Sequence, residues 1–194
     1  MIAKQLFRYA LFFLFLVSCD DLPNRQASGT NYASLDDPPS DTTDVRLSRP
    51  SPPLVLRDTF NEIPVQVKYG APSVRGRAIF GKLVPFDEVW RTGANEATTL
   101  SIPDTLLLED QKLAPGQYAI FTIPHEDHWE ILINTEYDQW GAYNYDPAKD
   151  ILRLRVIPEE TGSHQEQMTF RLDNDKLILH WDNLQVPISL GTPR

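Results

Sequence analysis

This 194-residue chain holds one cysteine, nine glycines and 18 basic side chains, and each shortage excludes something. The single Cys19 rules out an intramolecular disulfide and a cysteine metal cluster. The few glycines form no phosphate-cradling loop, and neither a Ser/His/Asp order nor a cysteine nucleophile is recognisable. With 27 acidic residues the formal charge is −9, a surface that repels nucleic acid and anionic headgroups. Nucleic acid is therefore excluded as a partner. Helical periodicity is missing too: no segment sustains a 3.6-residue apolar repeat, and Asp87 to Trp90 amounts to one turn at most.

What is present begins with an address. Lys4 and Arg8 open the chain, Leu11 to Val17 form an apolar run, and Leu16-Val17-Ser18-Cys19 closes it. The run falls short of the roughly 20 residues that span a bilayer and reads as a signal peptide over residues 1–18. The closing tetrapeptide resembles the lipobox of bacterial lipoproteins, which implies transfer of a diacylglyceryl group, with acyl chains of the palmitate class, to the Cys19 sulfur and then removal of residues 1–18. The bland alternative is a secreted protein with a stray cysteine. Each buried CH₂ of an acyl chain contributes about 0.8 kcal/mol, so more than one chain holds a protein on a membrane without spanning it. The expectation is an extracytoplasmic, lipid-anchored protein of a bacterial membrane, with a formal charge of −11 once Lys4 and Arg8 leave with the leader.

Residues 19–53 carry prolines among Ser, Thr, Asp and Asn without any apolar period. That composition offers no apolar face to offset the entropy of ordering, and a disordered tether is expected. Its random-coil reach is about 30 Å.

From residue 54 to 194 the pattern changes to short alternating runs. Val65, Val67 and Tyr69 alternate with Gln66 and Lys68; Leu152, Leu154 and Val156 with Arg153 and Arg155; Met168, Phe170 and Leu172 with Thr169 and Arg171. Further strands are expected over Ala78 to Val84, Thr98 to Ile102, Thr105 to Leu108, Gln117 to Ile123, Trp129 to Asn134, Lys176 to Trp181 and Leu184 to Leu190. Turn residues separate them at Pro103-Asp104, Glu109-Asp110, Pro115-Gly116, Pro124 to Asp127, Asp146-Pro147 and Asp173 to Asp175. Many short strands without helical crossovers predict an all-β fold, a single antiparallel β-sandwich of jelly-roll type.

The stretches Val65 to Gly70, Pro72 to Arg77, Ile79-Phe80-Gly81, Val84-Pro85, Val89 to Thr98, Ala114 to Tyr118 and Ile123-Pro124 together resemble the family known as domain of unknown function 2911. That family occurs largely in envelope proteins of Bacteroidetes-type bacteria. The resemblance covers about Ile63 to Ile188 and is most specific over Trp90 to Thr98. It implies one compact domain in an extracytoplasmic setting and transfers no activity, catalytic residue or cofactor.

Four groups of residues carry chemistry worth weighing. Trp90 to Thr98 packs an aromatic, Arg91, Gly93, Asn95 and Glu96 into a short stretch, with Gly93 expected in a backbone conformation costly to a residue with a Cβ. Between Lys68 and Arg91 five basic residues face only Asp87 and Glu88, an island that would focus an anion unless its arginines form structural bridges. His125 and His128 flank two carboxylates in a hairpin turn; a metal site needs three or four converging ligands, which this spacing does not supply, so no metal or cofactor is expected. Tyr137, Trp140, Tyr143 and Tyr145 either stack on sugar rings or cap the core.

These readings converge on a binding or interaction module. Its expected ligand residues are Arg75, Arg77, Arg91, Asn95 and Glu96, and the ligand is anionic or a carbohydrate. A glycan-directed hydrolase using Glu96 with Asp87, Glu88 or Asp138 is the catalytic alternative. A purely structural envelope protein is the third.

Overall fold

A computed structural model describes residues 49–193, so the signal peptide, Cys19 and the tether up to residue 48 lie outside the described residues. Ten strands and one 3₁₀ turn make up the fold: β1 Pro53–Phe60, β2 Ile63–Gly70, β3 Thr98–Ile102, β4 Leu106–Leu108, β5 Gln111–Leu113, β6 Gly116–Pro124, β7 Trp129–Asn134, the turn Pro147–Lys149, β8 Asp150–Val156, β9 Glu159–Asp173 and β10 Lys176–Gly191. Six strands form one sheet in the order β1-β2-β3-β6-β7-β8, and four form the other in the order β5-β4-β10-β9. Every strand pairing is antiparallel, so the molecule is the expected all-β sandwich.

Turn chemistry explains the hairpins. Asn61 and Glu62 both adopt positive φ between Phe60 and Ile63, and Glu109 and Asp110 do the same between Leu108 and Gln111. Two left-handed residues in succession match the twist of the strands they join. Alternation explains the faces: along β2, Val65, Val67 and Tyr69 are buried while Lys68 stands out to solvent. The Tyr69 hydroxyl crosses between the sheets to accept the Phe170 backbone N–H. Burial raises its pKa above the ordinary 10.0.

At the centre of the sandwich Phe80, Trp90, Trp129 and Trp181 interlock. Phe80 meets Trp129 and Trp181 edge-on with centroids 5.1 and 6.0 Å apart, while Trp90 stacks on Trp181 at 5.9 Å. Such pairs contribute about 0.5–1.5 kcal/mol each beyond their area burial.

Three expectations change. Ala78 to Val84 is a run of turns, because Gly81 takes φ 78° and its backbone closes back onto Val84. The Phe86 ring packs where a Gly81 Cβ would sit. Lys176 to Trp181 and Leu184 to Leu190 are one 16-residue strand, continued through a register irregularity at Asp182, whose φ is 55°. β1, β5 and the first half of β9 add strands that alternation did not mark.

Part of the six-stranded sheet is covered on its outer face as well. Ala97, Ala119, Phe121 and Leu132 form a second small cluster, with Val89, Ile123, Ala142 and Tyr145 packed against it. The connection between β7 and β8 crosses here, and beside it the sheet is open.

Candidate functional site

The stretch from Trp90 to Thr98 is a closed loop feeding β3. Thr98 N–H donates to the Arg91 carbonyl at 3.2 Å, the Thr98 hydroxyl to the Thr92 carbonyl at 2.8 Å, and the buried Trp90 indole N–H to the Gly93 carbonyl at 3.0 Å. Thr92 and Asn95, with φ of 57° and 64°, make the turns. Gly93 is not among the residues at positive φ; it is needed for space, since a Cβ there would lie 2.9 Å from the Gly70 carbonyl oxygen. The expected backbone reason thus gives way to a steric one.

Four of the five predicted ligand residues have side-chain partners within the chain itself. Glu96 accepts both contacts of the Arg49 guanidinium at 2.8 and 3.1 Å, not a bridge from Arg91. The Asn95 side-chain amide donates to the Ser51 carbonyl at 3.0 Å, and Arg75 donates to the Pro50 carbonyl at 3.2 Å. Three of the five side chains therefore grip the three residues Arg49 to Ser51. Arg77 closes its own turn by donating to the Val74 and Ser73 carbonyls. Arg91 is half-buried, and its Nε has no hydrogen-bond partner among the described residues.

Beside this clamp lies an opening. A groove of about 600 Å³ runs over the outer face of β1, β2 and β3, within the range of small-molecule sites. Register supplies its floor, because Val55 pairs with Lys68 and Lys68 with Thr99, which turns all three side chains to one face. Tyr137, Asp138, Gln139 and Trp140 make one wall, and Arg49 with Glu96 closes an end. An antiparallel bridge ties Glu96 to Trp140, and the Arg49 guanidinium lies 5.7 Å from the centre of the indole ring. Trp140 is nonetheless 53% exposed and Tyr137 41%.

Two polar atoms in this lining matter most. Thr99 Oγ1 and Gln139 Oε1 are buried without a hydrogen-bond partner among the described residues. A buried polar atom left unpaired costs about 1–3 kcal/mol, so each marks a place where a hydroxyl or amide from outside would be welcome. The charged lining residues, Arg49 and Lys68 against Glu96 and Asp138, cancel. No net charge is offered to an anion.

The aromatic cluster read from the sequence divides between its two roles. Tyr145 packs edge-on against Phe121 with centroids 5.0 Å apart, and its hydroxyl donates to Asp150 at 2.5 Å; burial and this carboxylate push its pKa well above the ordinary range. Tyr137 and Trp140 line the groove, while Tyr143 projects into solvent. Arg49, Thr99, Gln117 and Gln139 escaped sequence reasoning. Thr99 and Gln117 face outward on strands that were recognised, so strand register was the missing signal.

The remaining carboxylates of the hydrolase alternative separate: Asp138 lines the groove with Glu96, whereas Asp87 bonds His125.

An all-β sandwich with an open, charge-balanced groove defines a class of protein rather than an activity. Residues 51–190 match the model of the family described as "Protein of unknown function (DUF2911)", and the chain belongs to that family. Comparisons with curated proteins and with solved structures return no match.

Proposed function

We propose that this is a lipid-anchored cell-envelope protein whose sandwich domain binds a carbohydrate-class ligand in the groove walled by Tyr137 and Trp140. The observation that carries the reading is the lining itself: exposed aromatic rings for the apolar faces of a sugar, beside the buried, unpartnered Thr99 Oγ1 and Gln139 Oε1 for its hydroxyls. Charge balance favours a neutral glycan over an anion. The anchor rests on the leader and Cys19 alone.

Asp138 beside Glu96 keeps hydrolysis as the second reading. Glu96 is tied to Arg49 by two contacts, an arrangement that fixes a wall more readily than it transfers a proton.

The test is calorimetric titration of the detergent-extracted mature protein with soluble glycan fragments. Saturable binding is expected, weakened tenfold or more in Trp140→Ala at an unchanged melting temperature, a loss of about 1.4 kcal/mol. Equal affinity in the variant, or no binding across neutral and acidic glycans, removes the proposal. Cleaved glycan in the same samples would select the hydrolase, and a mass spectrum showing unmodified Cys19 would remove the anchor.

A further inference from the structure

Away from the groove, the hairpin between β6 and β7 gathers three metal-ligating side chains. His125 and His128 face each other across the turn, where His125 N–H donates to the His128 carbonyl at 2.8 Å, and their rings stack with centroids 4.3 Å apart and 17° between planes. Glu130 follows two residues into β7, opposite Ile123 of β6.

Each imidazole is oriented by a carboxylate on the same ring atom. His125 Nδ1 bonds Asp87 Oδ1, and His128 Nδ1 lies 2.7 Å from Asp127 Oδ1. A carboxylate at Nδ1 selects the tautomer that carries its proton there, which leaves the lone pair on Nε2. Neither Nε2 makes a hydrogen bond among the described residues, and that of His125 is buried. Glu130 is oriented likewise: Arg153 donates to its Oε2 at 2.6 Å, and its Oε1 stands 3.5 Å from His125 Nε2.

The geometry points to a divalent-metal site formed by His125, His128 and Glu130, with Asp87 and Asp127 as positioning residues. One ligand atom from each of the three lies within 4.8 Å of the others. Metal bonds of about 2.0–2.1 Å place tetrahedral donors about 3.4 Å apart, so binding requires the two stacked rings to turn out of parallel as well as to close up. Two imidazoles and one carboxylate suit zinc, or cobalt and nickel, rather than magnesium or calcium, which prefer oxygen. Three protein ligands leave a fourth position open. His125 also lines a cleft of about 400 Å³ with Phe80, Phe86, Trp129, Glu160 and Asp182. The sequence hid the set because Glu130 sits beyond the turn and Asp87 lies 38 residues from His125.

The decisive experiment titrates the chelator-treated, detergent-extracted mature protein with Zn²⁺ alone and follows heat. One equivalent is expected to bind. His125→Ala, His128→Ala and Glu130→Gln should each lose that equivalent, and Asp87→Asn should weaken it about 10- to 100-fold. His164→Ala, which alters the separate His164–Glu166–Asp182 cluster, should leave it unchanged. Binding that survives in all three ligand variants overturns the proposal, as does no binding to the unaltered protein. Should a variant misfold, X-ray absorption of the Co²⁺-loaded unaltered protein counts imidazoles directly. Two are expected, and none would be fatal.

Discussion

At the scale of single residues, the chain spends its small glycines and polar side chains on close approaches. A Cβ on Gly70 would sit 2.0 Å from the Ala94 carbonyl oxygen, and one on Gly93 would sit 2.9 Å from the Gly70 carbonyl. The end of β2 and the Trp90–Thr98 loop therefore touch backbone to backbone. Gly70→Ala is expected to destabilise by at least the 1–3 kcal/mol typical of overpacking, and Gly93→Ala by less, because its closest approach to backbone is 2.9 Å rather than 2.0 Å. Urea unfolding of both variants checks the order, and equal or reversed losses would contradict the contact. The sequence showed that Trp90 to Thr98 was dense in hydrogen-bonding groups without showing what they bond. Glu96 meets Arg49, 47 residues away, and proximity in sequence holds no information about such a partner.

Elements were legible where one face met the core and the other met water. β2, β3, β6, β7 and β8 announce themselves through alternation or an apolar run between turn residues. The first half of β9 does not: Glu159 to Gln167 is largely exposed and pairs with β10 and, at its end, with Ser73, so burial wrote no period into it. That ribbon carries two histidines with opposite pH behaviour. His164 bonds Glu166 and Asp182, which raise its pKa above the ordinary 6.5, while burial lowers that of His180. Stability from a raised histidine is complete below pH 6.5 and lost as pH rises through the folded value. A lowered histidine works the other way, since its neutral form must charge as pH falls below 6.5. Both contributions are present in full only near pH 6.5. Melting temperature measured against pH should lose its alkaline slope in His164→Gln and flatten on the acid side in His180→Gln. Unchanged profiles in both would exclude the ribbon as a source of pH dependence.

At the scale of the whole molecule, the sandwich class followed from many short strands and few helical signals, while the groove did not. It exists because a strand edge, a distant loop and the residues ahead of β1 meet on one sheet face, and only the folded chain brings them there. Those leading residues belong to the fold: besides the Arg49, Pro50 and Ser51 contacts, the Pro52 carbonyl accepts Ala71 N–H at 2.9 Å. A chain beginning at Arg49 should melt at the temperature of the mature protein. One beginning at Leu54 should melt several degrees lower, because a loss of 1 kcal/mol shifts a domain of this size by about 2–8 °C. Identical melting of the two would show that the leading residues lie on the domain without holding it.

The same clamp has a mechanical meaning. β1 is an edge strand with one neighbour, and an edge strand pulled from its end opens one rung at a time, the weakest way to load a sheet. Among the described residues, a pull arriving from the N-terminal side first meets Arg49, Pro50 and Ser51, fastened by Asn95 and Glu96 of one loop and by Arg75 of another. The tension is shared between these two loops before it reaches the Pro53–Gly70 end of the zipper.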